Sequence, residues 1–263
     1  METVLLFFIF IFGTIIGSFL NVLIYRHNTG ITLGGRSMCF SCGKKLHWHE
    51  LVPIASFFAQ NKRCRGCGSK ISWQYSLVEL VTGTLFAGTA FKVLFPITLF
   101  SLLQTTLLFV ISSVLMVIFV YDMRHKIIPD LYVVLFIVFA FIYSAFNAYV
   151  LGESILHTLL LNIGAGALFF LFFAGLWFFS GGRAMGFGDA KLAIGVGLLL
   201  GIGKGILSLM LSFWAGALYG VFLLLVRRKY VTMKTELPFA PFIILGVYIA
   251  FFIDKTFFDV FIF

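Results

Sequence analysis

Val114-Leu115-Met116-Val117-Ile118-Phe119-Val120-Tyr121-Asp122 ends an apolar segment that begins near residue 98, and it ends on a carboxylic acid. Apolar segments of this kind recur at about 3–25, 77–97, 98–121, 131–150, 155–179, 190–203, 206–226 and 237–257. Most are near the roughly 20 residues a helix needs to cross the hydrocarbon, so the chain reads as an all-α polytopic membrane protein with about eight transmembrane helices. Composition agrees: 61% of the 263 residues are hydrophobic, 11% are charged, and the mean hydropathy is +1.09. A soluble domain with a polar surface is excluded.

The first segment starts Met1-Glu2-Thr3 and runs on to Arg26, without a basic leader or a small-residue cleavage site. It is expected to stay as a membrane helix and not to be removed as a signal peptide. Segment 190–203 is short and interrupted by glycine, which predicts a tilted or partly broken helix. The expected organisation is a first transmembrane helix at 1–25, a polar loop at 26–74 and a membrane bundle at 75–263.

Cations fix the expected orientation. With the N-terminus outside, all of the 19 Lys and Arg residues except Lys92, Lys204 and Lys255 fall on the inner side, the partition the positive-inside rule favours. Asp122 and Asp189 then lie at one depth on that side. The net charge of +9 is accounted for by topology and by anionic membrane lipid as a partner, so no nucleic-acid partner is expected. Glycine pairs such as Gly13/Gly17, Gly197/Gly201/Gly205 and Gly216/Gly220 suit close helix packing.

The loop at 26–74 holds all four cysteines, in Cys39-Phe40-Ser41-Cys42 and Cys64-Arg65-Gly66-Cys67. Two such pairs predict a small cytosolic module with a tetrathiolate zinc site, which is structural because four ligands leave no position open for water. Gly43 and Gly68 follow the pairs and suit tight knuckles, while Lys44, Arg63 and Arg65 are expected to favour thiolates. Two disulfides are the alternative, and a reducing cytosol disfavours them. His47 and His49 are expected at the surface.

Asp189 ends Gly186-Phe187-Gly188-Asp189 and opens another apolar run. Acids in membrane segments are costly and usually functional. Two aspartates at one depth can divide acid and base work, one activating water and the other polarising a carbonyl. Gly186 and Gly188 would let an extended substrate approach and allow backbone conformations closed to other residues. Asp189 could equally be a helix cap, Asp130 reads as the cap of the following helix, and an ion pair of Asp122 with Arg124 or His125 is its bland alternative. Glu79 is a candidate contact for a substrate amine or lysine.

Gly17 through Arg26, the cysteine pairs, Ile71 through Leu80, Asp122 with Ile127-Ile128-Pro129-Asp130, Met185 through Leu192 and Leu237 through Phe242 together resemble bacterial type IV prepilin peptidases, in order along nearly the whole chain. The resemblance implies an intramembrane aspartic endopeptidase of the Gly-x-Gly-Asp type with Asp122 and Asp189 catalytic. It implies cleavage of type IV prepilins or pseudopilins after a basic leader, at the cytosolic face of the bacterial inner membrane. It also implies N-methylation of the new terminus with S-adenosylmethionine in many members. His27, Asn28, Ser76, Ala190 and Ala240 depart from the usual pattern, and none of them is a carboxylate. A proton- or cation-coupled transporter and a noncatalytic envelope assembly platform are the rival functions.

Overall fold

The computed structural model describes residues 2–29, 34–183, 185–226, 238–253, 256 and 259. Arg227, Arg228, Lys229, Lys234, Leu237 and Lys255, used above for orientation and resemblance, lie outside the described residues. The elements are α1 Glu2–Arg26, α2 Ala55–Ala59, α3 Trp73–Val93, α4 Leu99–His125, α5 Asp130–Val150, α6 Ile155–Ser180, α7 Phe187–Val226 and α8 Ala240–Phe252, with a 3-10 turn at Trp48–Glu50. Among the described residues six helices, α1 and α3 to α7, are long and apolar enough to cross a membrane.

α7 spans 40 residues but is broken at Gly201, whose φ of 67° and ψ of −171° lie outside any helical region. That backbone region is almost exclusive to glycine, so the expected division of this segment falls at Gly201 and not at 204–205. With both halves of α7 counted and the shorter apolar α8 included, the chain has about the number of apolar helices expected.

The chain divides into two compact units, Met1–Val117 and Ile118–Phe263. The division falls inside α4. The reason is that α3 packs on α1, so the second apolar helix belongs with the first and with the loop between them. A Cβ at Gly13 would lie 2.8 Å from Gly83 Cα, and one at Gly17 would lie 2.8 Å from Glu79 Cα. The helix backbones meet where side chains are missing.

In the second unit α7 packs on α6, α8 and α5. The same device recurs there: Gly197 abuts the Gly166 backbone and Gly246 abuts Ser208. Phe136, Phe173, Leu192, Val196 and Ile243 are fully buried in that bundle.

Candidate active site and metal centre

Asp122 sits in the last turn of α4, where the helix dipole disfavours an anion. It is nonetheless only 3% exposed, whereas Arg124 and His125 are exposed. Its relief comes from another helix: the Asp122 carboxylate accepts a hydrogen bond from the Ala240 backbone N–H, at the first residue of α8. Pro241 follows, at a position where a missing N–H costs nothing. The N-terminal partial charge of α8 thus offsets the C-terminal one of α4. In the sequence, the Pro238-Phe239-Ala240-Pro241-Phe242 spacing is the signal that marks this helix start.

Asp189 is the third residue of α7 and 4% exposed. Its N–H donates to the Gly186 carbonyl at 3.2 Å, and its carboxylate accepts from the Gly186 N–H. That return bond is half of a capping box, so the residue does cap its helix, using one side of the carboxylate. The other side is left over. Asp189 Oδ1 and Asp122 Oδ2 are both buried without a hydrogen-bond partner, and the two side chains are close enough to interact electrostatically. Each carboxylate is therefore held by one helix-start N–H and keeps one oxygen for another molecule. Leaving such a group unmatched costs about 1–3 kcal/mol, so each oxygen is placed to bond a water or a substrate.

The glycines before Asp189 differ in what surrounds them. Neither Gly186 nor Gly188 has positive φ, so unusual backbone conformation is not their purpose. A Cβ at Gly188 would fall 3.0 Å from Ile128 Cβ, whereas one at Gly186 would meet Asp189 Oδ2 at 3.7 Å, an ordinary contact. Gly188 makes room for the Ile-Ile-Pro segment that follows α4, which fixes the first turn of α7 beside it. Asp130 was expected to cap α5. The cap is Pro129, and Asp130 instead reaches Lys191 Nζ at 2.7 Å in a largely exposed ion pair.

In the first unit the four cysteine Sγ atoms all lie within 4.8 Å of one another. Cys39 and Cys67 are 3.9 Å apart, far beyond a disulfide bond of about 2.05 Å. Metal–sulfur bonds of about 2.3 Å in a tetrahedron place sulfurs roughly 3.8 Å apart, so the cluster has the dimensions of a four-thiolate metal site. The two pairs fold alike. Gly43 N–H donates to Cys39 O at 2.8 Å and Gly68 N–H to Cys64 O at 2.9 Å, while Cys39 N–H and Cys64 N–H return to Lys44 O and Ser69 O. Gly43 and Gly68 carry φ of 70° and 71°, the left-handed turn expected of each knuckle.

Backbone and hydroxyl donors act on the thiols. The Ser41 backbone N–H brings the Cys39 thiol down to about 6, and the Ser69 hydroxyl lowers Cys67. Cys42, although helped by the Lys44 N–H, is pushed up to about 11 by crowding against Cys67 and Cys39. A dication among the sulfurs relieves that crowding. His47 and His49 stack on each other at 5.6 Å, outside the cluster.

Glu79 is buried in α3. Its Oε2 accepts from the Ile54 N–H at 2.8 Å, and Ser18 bonds it as well. Ile54 has φ of 61°, a strained value for a β-branched residue. The Glu79 carboxylate anchors the polar loop to the first helix pair.

Residues 11–93 match the Bacterial Peptidase A24 N-terminal domain, and residues 109–221 match the Type IV leader peptidase family. The prepilin leader peptidase/N-methyltransferase of Bacillus subtilis is 33% identical over 247 residues, covering 92% of each chain. The chain belongs to the type IV leader peptidase family. Its similarity to the Vibrio cholerae prepilin leader peptidase/N-methyltransferase is 32% over 216 residues, 77% of this chain and 80% of the relative. The Myxococcus xanthus relative is 49% identical over 80 residues, 30% of this chain. No solved structure matches the chain. Membership in this peptidase family speaks for hydrolysis over the transporter and platform alternatives.

Proposed function

We propose that this leader peptidase family member cleaves the basic leader from type IV prepilins or pseudopilins, with Asp122 and Asp189 as the catalytic pair. The observation that carries the assignment is the pair of unmatched carboxylate oxygens, Asp122 Oδ2 and Asp189 Oδ1, buried beside helix starts in one unit. One carboxylate, ionised, takes a proton from water as the water oxygen bonds to the scissile carbonyl carbon. The other, protonated, donates a hydrogen bond to the carbonyl oxygen. Collapse of the tetrahedral adduct breaks the C–N bond, and the leaving amine takes up the proton that the first carboxylate removed from water, which restores the dyad. The two groups titrate as a pair, so the acid and base roles belong to the dyad.

The loop cysteines Cys39, Cys42, Cys64 and Cys67 hold a structural zinc ion, supported by their spacing and by sulfur positions that suit a tetrahedron. The metal supplies the loop with a fixed shape and leaves no open position for chemistry. The chain lies in the bacterial inner membrane with its N-terminus outside and the aspartates facing the cytosol, a reading supported by the distribution of Lys and Arg. Prepilins carry a basic leader and then an apolar helix, so they can present the cut site at that interface.

Relatives named as both peptidase and N-methyltransferase favour a second step. Bound S-adenosylmethionine would supply an electrophilic methyl group for the new N-terminal amine and leave as S-adenosylhomocysteine.

The test is cleavage of a prepilin by the purified protein in detergent. Asp122→Asn and Asp189→Asn are each expected to abolish the cut while the protein still inserts and retains its zinc. Cleavage at the wild-type rate by either variant overturns the dyad, and an added methyl on the mature product, read by mass spectrometry, decides the second step.

A further inference from the structure

The polar loop between α1 and α3 contains an apolar run, Leu51-Val52-Pro53-Ile54-Ala55-Ser56-Phe57-Phe58. The two helices give its depth. They pack antiparallel, with Gly13 against Gly83 and Gly17 against Glu79, and the Tyr25 and Tyr75 rings stack at 5.0 Å. Tyrosines near the ends of membrane helices mark the level of the interface with water. Glu79 lies four residues beyond Tyr75 on α3 and Ser18 seven residues before Tyr25 on α1. At about 1.5 Å per residue these positions are roughly 6 and 10 Å below the tyrosines.

The run is fastened at that depth. Ile54 N–H donates to Glu79 Oε2 at 2.8 Å, and Ser18 bonds the same carboxylate, which keeps it from reaching back toward the surface. On the outside of α3 the same level exposes Leu77, Leu80 and Val81. From Ile54 the chain climbs through α2: Phe57 and Phe58 reach Trp73 with ring centroids 5.0 and 6.3 Å apart, at the first residue of α3.

The backbone of the turn is suited to a place without water. Pro53 has no N–H to satisfy, Ile54 N–H goes to Glu79, and the Val52 carbonyl accepts from Ser56 N–H at 3.0 Å. Backbone polar groups at membrane depth need such partners. The side chains point the other way: Leu51, Val52 and Phe58 are 38%, 40% and 54% exposed. The flanks are cationic and aromatic. Lys45 and Trp48 precede the run and Lys62, Arg63 and Trp73 follow it, all exposed, with Lys62 Nζ 4.4 Å from the Trp73 ring centre. Glu50 is the one acid between residues 34 and 72, and Lys44 holds it at 3.0 Å. Lysine and tryptophan bordering an apolar segment suit a membrane surface with anionic headgroups.

We infer that residues 51–58 form a wedge inserted into the lipid leaflet at which α1 ends and α3 begins, with Leu51, Val52 and Phe58 among acyl chains and the flanking cations at headgroup phosphates. In the orientation proposed above this is the inner leaflet. The loop is seated in the bilayer and not free above it, and Glu79 serves the insertion by accepting from the N–H of the turn. The wedge lies in the first unit and takes no part in hydrolysis. It rests on α1 and α3 crossing the membrane, which label on α3 checks separately.

The experiment uses the full chain in nanodiscs of phosphatidylcholine and phosphatidylglycerol that carry a diazirine on an upper acyl carbon, with crosslinks mapped by peptide mass spectrometry. Label is expected on residues 51–58 as well as on residues 77–81 of α3, and not on residues 62–70. Val52→Asp puts a charge at an exposed position and is expected to lower the label on 51–58 about tenfold, the population shift that a charge penalty at this depth produces, while Val52→Leu keeps it. Metal content and melting temperature should stay at wild type in both. Label on 77–81 with none on 51–58, or undiminished label in Val52→Asp, overturns the wedge and leaves the membrane helices standing. Label on 51–58 that appears only after prepilin is added overturns the lipid assignment and makes the segment a substrate contact. Absence of label on both segments overturns the crossing by α3 and the wedge with it.

Discussion

Alanine at Gly188 and at Gly186 separates two accounts of the glycines before Asp189. A Cβ at Gly188 would stand 3.0 Å from Ile128 Cβ, 3.2 Å from its Cδ1 and 3.4 Å from its Cγ1, where contacts below 3.4 Å are tighter than nearly all real ones. The Ile128 Cβ must therefore move about 0.4 Å relative to α7 to reach an ordinary contact of 3.4 Å, and a misplacement of about 1 Å costs on the order of a hundredfold in rate. On that scale Gly188→Ala should lower kcat roughly tenfold, with an overpacking cost of about 1–3 kcal/mol in stability. Gly186→Ala meets only an ordinary contact at 3.7 Å and has no positive φ, so kcat should stay within about threefold of wild type, a change under roughly 1 kcal/mol. The assay is steady-state cleavage of a prepilin by detergent-purified protein, with thermal unfolding in parallel. If Gly186→Ala is the more damaging variant, the glycines serve substrate access and the packing argument fails.

Four other outcomes follow from the same geometry. The double variant Asp122→Asn/Asp189→Asn should be no slower than either single one, because groups that act as a unit are not additive; a further loss of about the same size again would show that they act separately. Glu79→Ala removes the acceptor for the strained Ile54 N–H and should make residues 26–72 markedly more susceptible to limited proteolysis, whereas Glu79→Gln, which keeps an acceptor oxygen, should not; equal protection in both variants counts against the anchor. Zinc binding competes with protons at the thiols, of which Cys39 is brought down to about 6, so its stabilising effect is complete above the ordinary thiol range and is lost as pH falls through that value; zinc held as firmly below that value as above the ordinary thiol range, followed with a chromophoric chelator, would contradict this. Gly201→Ala forces a side chain into a φ of 67° with Asn162 Oδ1 at 3.0 Å and should cost about 1–3 kcal/mol, read as a lower melting temperature; an unchanged melt would mean that the break in α7 is not held by glycine.

The two aspartates share one structural device. Each lies at a helix end, and each is held by a backbone N–H from the start of a helix: Ala240 of α8 for Asp122 and Gly186 before α7 for Asp189. Such N–H groups lack intrahelical partners and carry partial positive charge. They orient each carboxylate in an apolar bundle through one of its oxygens. A helix cap and a catalytic acid are thus compatible uses of Asp189, since a carboxylate has two oxygens.

Apolar run length, the isolated position of Asp122 and Asp189, and the two Cys-x-x-Cys pairs are properties of adjacent residues, so the all-helical membrane class, the candidate carboxylates and the cysteines that cluster were legible from residue order. Local turn chemistry was legible too: Gly43 and Gly68 take the left-handed values that their positions after the cysteines imply. Pairings between distant segments were not. That Ala240 N–H meets Asp122, that Ile128 fills the space beside Gly188, that Glu79 holds Ile54 and that α3 belongs with α1 depend on which helix faces approach, and helix faces in a nearly uniformly apolar sequence carry little periodic signal. In such a chain hydrophobicity fixes what crosses the membrane, while close packing at small residues and the need to satisfy buried N–H and carboxylate groups fix what touches what.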